Sequence, residues 1–169
     1  MPKNIRPIRI EGNIAFVSLT KGYIAVIDAI DVPIVDGFCW IAKEQKTRGG
    51  DIRTVYATSG IATLGLHRLI TSAPAGQEVD HIDGDGLNNR RANLRLATKA
   101  QNMKNRRPNR KSASGVKGVV WHKRIGKWHA QIMSDKDSHH LGYFETIEAA
   151  AKAYAEASAK LHGDFGRTS

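Results

Sequence analysis

The sequence predicts an α+β protein: a small β-rich N-terminal region, then a strand–loop–strand–helix module, then a three-stranded antiparallel sheet with one helix. Three observations carry that expectation. From Ile5 to about Gly60, residues rich in Ile, Val, Tyr and Thr are interrupted at short intervals by GN, KG, DG and GG pairs, the pattern of short antiparallel strands joined by tight turns. In the middle, two partly apolar stretches flank the turn-rich string DGDGLNN. Towards the C-terminal end, three strand-like segments precede the alanine-rich run TIEAAAKAYAEASAKLHG, which repeats apolar residues near a helical period.

Taken in order, IAFVSL, GYIAVID, FCWIAKE and TVYATS are the strands expected of the first region. LHRLITSA, from Leu66 to Ala73, sets Leu66, Leu69 and Ile70 on one helical face, and Pro74 and Gly76 stop it. Glu78–Ile82 reads as a strand, DGDGLNN as a loop, and NLRLA, from Asn93 to Ala97, as a second strand by its alternation. Thr98 is an N-cap for the helix KAQNMKNR, with Gln101 in the capping-box position. RRPNRKSASG combines proline, serines and glycine with four basic residues, the composition of a linker. These signals divide the chain into a first domain over residues 1–105, a basic linker over 106–114 and a second domain over 115–169. In the second domain GVKGVVWHKR, GKWHAQIM and HHLGYF are the strands. Thr146 caps the helix, whose core face takes Ile147, Ala150, Ala151, Tyr154, Ala157 and Leu161.

With 169 residues, 41% hydrophobic and 25% charged, the chain is long enough for one well-cored domain or two small ones. It carries 26 Lys and Arg against 16 Asp and Glu, a net charge of +10, so its averaged field attracts polyanions such as nucleic acid. No apolar run approaches the roughly 20 residues that span a bilayer, and MPKNIRPIRIEGN lacks the apolar centre of a signal peptide. The expectation is a soluble intracellular protein, not a secreted one. A single cysteine, Cys39, excludes internal disulfides and multi-cysteine zinc sites, and beside Phe38 and Trp40 it reads as a small buried hydrophobe.

Against that positive background, EVDHIDGDGLNN at residues 78–89 gathers acidic groups and a histidine. A calcium loop of the EF-hand type needs oxygen ligands in its first and twelfth places. Counted from His81, which aligns Asp83, Asp85 and Gly86 correctly, those places hold His81 itself and Ala92. A solvated turn accounts for DGDG and NN. It leaves unexplained why Asp80 and His81 sit at the end of an apolar strand, and why Asn93 and Asn102 follow in the next strand and helix. A metal-dependent phosphodiesterase site uses a general base to activate water and a divalent ion to offset charge on the phosphate. Histidine and a carboxylate can supply those roles. Neighbours on a flat strand point to opposite faces, so the strand must end or twist at His81, and Gly84 and Gly86 make that easy.

LHRLI followed by VDHIDGDGLNNRRANLRLATKAQNMKN resembles the HNH endonuclease family, in the Asp-His, Asn, Asn form of phage and intron-encoded homing endonucleases. The resemblance implies a ββα-metal nuclease module. It makes His81 the general base, Asp80 a metal-ligating carboxylate, Asn93 the central asparagine that ties the loop and orients the histidine, and Asn102 the second metal ligand. That oxygen-only ligand set suits one Mg²⁺ or Mn²⁺ ion better than Zn²⁺. His67 matches a recurrent histidine of the family, implying packing or a phosphate contact. Asn105 is a second-choice ligand, and Asp83, Asp85, Asn88 and Asn89 are expected to form the loop.

From Lys99 through Arg124 there are nine lysines and arginines and no acid: Lys99, Lys104, Arg106, Arg107, Arg110, Lys111, Lys117, Lys123 and Arg124. A one-signed run of this kind reads as a polyanion contact. The stretch SGVKGVVWHKRIGKWHAQI through HLGYFETIEAAAKAYAEASAKLHGDFG resembles the AP2 domain of plant transcription factors, in which a three-stranded sheet lies in the major groove with the helix behind it. The implied DNA-binding residues are Arg106, Arg107, Lys117, Trp121, His122, Lys123, Arg124, Lys127 and Trp128, with His129 and Gln131 on the same strands. Trp128 also reads as core packing. Val120, His122 and Met133 stand where the plant pattern has arginines. Together the two resemblances imply a metal-dependent endonuclease acting on double-stranded DNA in a bacterial or phage-infected cell, of homing or mobile-element type. The alternative is a non-catalytic, sequence-specific DNA-binding regulator with a decayed nuclease motif.

Overall fold

The computed structural model describes residues 5–59, 64–105, 112–134 and 137–168. The chain divides into two compact units, Met1–Lys99 and Ala100–Ser169.

In the first unit, β1 (Ile8–Glu11), β2 (Ile14–Ser18) and β3 (Ile24–Asp28) form an antiparallel meander. A four-residue helical turn, α1 (Val32–Val35), leads to the hairpin of β4 (Trp40–Lys46) and β5 (Ile52–Ser59). Period-two alternation buries Ala15 and Val17 from β2, Ala25 and Ile27 from β3, and Val55 and Ala57 from β5. They join Val35, Trp40, Leu66 and Ile70 in one apolar cluster. The Trp40 indole N–H reaches the Val35 carbonyl at 3.0 Å, so this large ring is buried without an orphaned donor. Cys39 is half-buried, more open than the sequence suggested.

The short helix α2 (Leu66–Thr71) presents Leu66 and Ile70 to that core, with Leu69 partly covered. It ends at Ser72, which takes a left-handed φ of 49°. Arg68 fastens the following loop by donating to the carbonyls of Ala73, Pro74 and Gln77 at 3.0, 2.9 and 2.6 Å. β6 (Glu78–His81) and β7 (Leu94–Ala97) then pair antiparallel. The expected strand, loop, strand order therefore stands, with Asn93 in a single 3₁₀ turn just before β7.

α3 (Lys99–Lys104) straddles the seam and lies mostly in the second unit. There, β8 (Val119–His122), β9 (Lys127–Ser134) and β10 (Asp137–Phe144) form an antiparallel sheet in the order β10, β9, β8. α4 (Ile147–His162) packs on it, its first turn capped by Thr146 Oγ1, which accepts from the Ala149 N–H at 3.2 Å. Val119, Ala130, Ile132, Ala150 and Tyr154 make the second core. Towards its end α4 buries Ser158 and His162 instead of the expected Leu161, which is 37% exposed. A hydrogen bond between His162 Nε2 and the Met133 carbonyl, 2.8 Å long, is what draws that end onto β9. No helix among the described residues is long and apolar enough to cross a membrane.

Candidate active site and nucleic-acid interface

β6 ends at His81, and the chain turns at once: the Gly84 N–H donates to the His81 carbonyl at 2.8 Å, with Gly84 at φ 72°. Asp80 lies opposite Arg95 on β7, and His81 lies opposite Leu94. Asp80 is only 4% exposed, and its Oδ2 accepts from Arg95 Nε at 2.9 Å and Nη2 at 2.7 Å. The guanidinium fixes this nearly buried carboxylate in place, and a carboxylate can contribute oxygen to a cation.

The remaining acids of the quoted string build the loop. Asp83 accepts from the Asp85 N–H at 2.8 Å, from Asn93 Nδ2 at 2.9 Å and from Asn88 Nδ2 at 2.7 Å. Burial pushes the Asp83 carboxyl up, but these donors together hold it below its ordinary value. Asn93 closes the loop from the other side, donating to the Asn88 carbonyl at 2.8 Å and accepting from the Asp83 N–H at 3.0 Å. Its described bonds tie the loop together. The hydrogen bond described at the His81 ring comes from Asn89, whose Oδ1 lies 3.3 Å from Nε2.

His81 is 5% exposed and enclosed by rings. His67 meets it edge-on with centroids 5.3 Å apart, and Tyr56 lies 5.8 Å from both histidines. Two glycines make room for this trio. A Cβ on Gly65 would meet the His67 ring at 2.7 Å, and one on Gly86 would meet the Val55 carbonyl at 2.4 Å and the Tyr56 ring at 2.7 Å. Burial lowers the basicity of His81 more than Asn89 and the carboxylates of Asp83, Asp80 and Asp85 raise it. Burial, His81 and Arg68 together lower His67 to about 4. Both rings are therefore neutral near pH 7, the state in which an imidazole can accept a proton.

The N-terminal strands brace this loop. The Val26 N–H donates to the Leu87 carbonyl at 2.9 Å, and the Asn89 N–H donates to the Val26 carbonyl at 2.7 Å. Asp28 receives Arg90 Nε at 2.9 Å and the Arg91 N–H at 2.8 Å. Asp31, 1% exposed, receives the Arg91 fork at 2.6 to 3.1 Å. The sequence reading placed no functional residue before His67. Tyr56, Asp28 and Asp31 escaped it because their partners lie far along the chain, 60 to 63 positions away for the two aspartates, where no local pattern reaches.

Asn102 is half-buried on α3, and Asn105 follows the helix at 8% exposure. Among the described residues no three His, Cys, Asp or Glu side chains gather as a metal-binding group. A carboxylate and an amide oxygen form a different donor set, one that fits a hard divalent ion completed by water.

In the second unit, strand pairing sorts the residues expected at DNA. Val120 and His129, and His122 and Lys127, are directly opposed on the face away from α4. Gln131, His140 and Tyr143 join them there through the β9–β10 register. Trp121 and Trp128 are opposed on the other face, centroids 5.1 Å apart, and Trp128 packs on the core. The outer face carries a ring cluster: His129 stacks on His140 at 4.8 Å with a 2.8 Å contact between Nε2 and Nδ1, and Tyr143 lies 5.1 Å from His129 and 5.4 Å from His122. Lys123 and Arg124 are exposed in the β8–β9 turn. Lys127 pairs with Glu145 at 2.8 Å, and Lys117 Nζ reaches the Met103 carbonyl at 3.5 Å. Arg106, Arg107, Arg110 and Lys111 lie outside the described residues.

A strand pair ending in Asp-His with an asparagine-tied loop, followed by a three-stranded sheet backed by a helix, defines a nuclease-like module joined to a DNA-binding one. The comparisons agree. The family model for HNH endonuclease matches residues 65–104, and that for the AP2 domain matches residues 114–164. A protein of Acanthamoeba polyphaga mimivirus described as an uncharacterized HNH endonuclease is 32% identical over 158 residues, covering 92% of this chain and 74% of that protein. Protein 3.8 of Escherichia phage T7 is 34% identical over 94 residues, 56% of this chain and 77% of its own length. An AP2-like ethylene-responsive transcription factor of Arabidopsis thaliana is 38% identical over 60 residues, 36% of this chain and 12% of the plant protein. No solved structure matches the chain. The chain belongs to the HNH endonuclease family and carries an AP2 domain, a pairing that indicates a nuclease with DNA as its substrate.

Proposed function

We propose that this protein is a metal-dependent endonuclease that hydrolyses phosphodiester bonds in duplex DNA, of the homing or mobile-element type. The observation that carries the reading is His81: a buried, neutral imidazole held between Asn89 and the rings of His67 and Tyr56, next in sequence to the buried carboxylate Asp80. A neutral imidazole can take a proton from water as the water oxygen bonds to phosphorus and the bond to the departing sugar oxygen breaks. Asp80 and, by the family motif, Asn102 would hold one divalent ion, Mg²⁺ or Mn²⁺ in preference to Zn²⁺. When bound, that ion offsets negative charge on the phosphate and the departing oxygen. Arg95 keeps the Asp80 carboxylate aimed.

The second module positions the first on DNA. His122, Lys123, Arg124 and Lys127, with His129 and Gln131, form the proposed contact face; Lys117, Arg106 and Arg107 add basic charge before it. Trp121 and Trp128 shape the sheet from its other side. The domain division at 106–114 belongs to the same proposal.

Supercoiled plasmid incubated with the full chain in a Mg²⁺, Mn²⁺ and Zn²⁺ series tests the reading. Wild type is expected to nick or cut with Mg²⁺ or Mn²⁺. His81→Ala is expected to bind DNA while losing about 10²- to 10⁴-fold in cleavage rate, the usual worth of a general base. Binding without cleavage by wild type under every metal would instead support a DNA-binding regulator.

A further inference from the structure

β5 forms one wall of the candidate site. Its Tyr56 ring lies 5.8 Å from both His67 and His81. The Val55 carbonyl and the Tyr56 ring leave no room for a side chain on Gly86, and Thr58 bridges to Gly65, the residue that opens α2. The strand therefore cannot slide without disturbing the loop and the helix that hold the two histidines. Register then decides which other side chain stands at this wall. Lys43 of β4 is the direct partner of Tyr56. Directly opposed residues of an antiparallel pair leave the sheet on the same face, with Cβ atoms about 4.5–5.5 Å apart. Lys43 is exposed, while Ala42 and Glu44 on either side of it turn to the other face.

Charge gives that position its meaning. A DNA phosphate brought to His81 comes up against the acidic groups Asp80, Asp83 and Asp85. A divalent ion offsets charge only on the phosphate it touches, and the next phosphates follow at about 3.4 Å of helix axis along each strand. Those neighbours depend on protein cations, yet the arginines around the loop are committed to the fold. Arg95 is held by Asp80, Arg90 by Asp28, Arg91 by Asp31, and Arg68 by three main-chain carbonyls. On the other face of the hairpin, Lys21 and Lys46 share Glu44 at 2.9 and 3.9 Å. Lys43 differs: among the described residues no carboxylate pairs with it. Its apolar stem can lie along the Tyr56 ring and carry the ammonium into solvent beyond it.

We propose that Lys43 is a DNA-binding residue of the nuclease unit: its ammonium holds a backbone phosphate adjacent to the one presented to His81, and so fixes the scissile bond in the site. The proposal rests on the reading of Asp80 and His81 as the hydrolytic site. It adds a substrate contact supplied by the N-terminal strands, beyond the residues of the second unit. A contact to a flanking phosphate acts on the reaction by holding the reacting group in register, so its loss is felt in the rate as well as in binding.

Two measurements on the full chain test this. Fluorescence anisotropy on a labelled duplex in EDTA, over a salt series, reads the contact; single-turnover cleavage of supercoiled plasmid with Mg²⁺, at saturating protein, reads where it lies. Lys43→Ala is expected to lower the salt slope by about 0.9 and to weaken binding alike on every sequence. Its saturating cleavage rate is expected to fall roughly 3- to 10-fold. Lys43→Arg, which keeps the charge, is expected to retain the slope and most of the rate. Lys46→Ala removes the same charge from the Glu44 face and is expected to leave both near wild type. A Lys43→Ala protein with the wild-type slope overturns the proposal, and so does one that loses slope but keeps the saturating rate, which would put the contact away from the cutting site. A wild type that binds but never cleaves counts instead against the endonuclease reading, and the slopes of Lys43→Ala and Lys46→Ala then decide the phosphate contact by themselves.

Discussion

His67 carries a buried Nδ1 with no hydrogen-bond partner, and its ring borders His81 and Tyr56. Burial, with His81 and Arg68 nearby, lowers it from an ordinary 6.5 to about 4. The unfolded chain therefore binds a proton here more readily than the folded one at every pH between those values. By linkage, the stability associated with a neutral His67 is complete above about pH 6.5 and drains away as pH falls towards 4. The size is about 3 kcal/mol, from about 1.4 kcal/mol per pKa unit. His81, lowered chiefly by burial, adds a loss of the same sign. Urea unfolding from pH 7 to pH 4 checks this: His67→Phe, which keeps a ring but cannot titrate, is expected to lose clearly less stability over that range than wild type. Equal slopes for the two proteins would mean that His67 is protonated as easily folded as unfolded. At neutral pH His67 would offer a phosphate no charge, only an N–H.

Glycines at the level of elements separate two kinds of constraint. Gly118, entering β8, has φ 71° and no room: a Cβ would meet the Gln131 carbonyl and the Tyr154 ring, both at 2.3 Å. Gly126, in the β8–β9 turn, has φ 68° and open space. Gly126→Ala is expected to cost about 1 kcal/mol for the left-handed backbone alone. Gly118→Ala adds overpacking against a main-chain atom and a core ring and is expected to cost roughly 2–4 kcal/mol. Thermal unfolding of the two variants gives the comparison, and equal losses would refute the steric part. Such close approaches mark the boundary of what a sequence discloses. Alternating strands, the Thr146 cap and the turn glycines are local signals, and the structure has them where they were read. β1 was not singled out because three of its four residues are exposed, leaving no buried face to alternate. Asp80, His81, Asn93 and Asn102 were candidates through the resemblance to a family motif, whereas the contact of Asn89 with His81 was not legible. Asn89 reads as turn chemistry until Gly86 and Val26 fix its orientation, and Val26 comes from a strand over 60 positions earlier. Asp28 and Asp31 look like ordinary turn acids until Arg90 and Arg91 arrive on them.

Across the whole molecule, a net charge of +10 draws the chain to any polyanion, and that general attraction must be separated from a defined contact face. Salt does this, because each phosphate neutralised by a bound cation releases counterions, and the slope of log K against log salt is about 0.9 per contact on duplex DNA. Lys123 and Arg124 are exposed in the β8–β9 turn, beside the outer face of the sheet. Lys152 and Lys160 are also exposed, but on α4, which packs against the opposite face. Replacing either pair by alanine removes the same two charges. A purely averaged field would treat the two changes alike. On the proposed interface, the Lys123→Ala, Arg124→Ala protein is expected to show a salt slope smaller by up to about 1.8 and weaker DNA binding at every sequence tested. The Lys152→Ala, Lys160→Ala protein is expected to keep nearly the full slope. Fluorescence anisotropy on a labelled duplex over a salt series measures both, and equal changes in the two proteins would remove the outer sheet face as the DNA contact while leaving the nuclease site untouched.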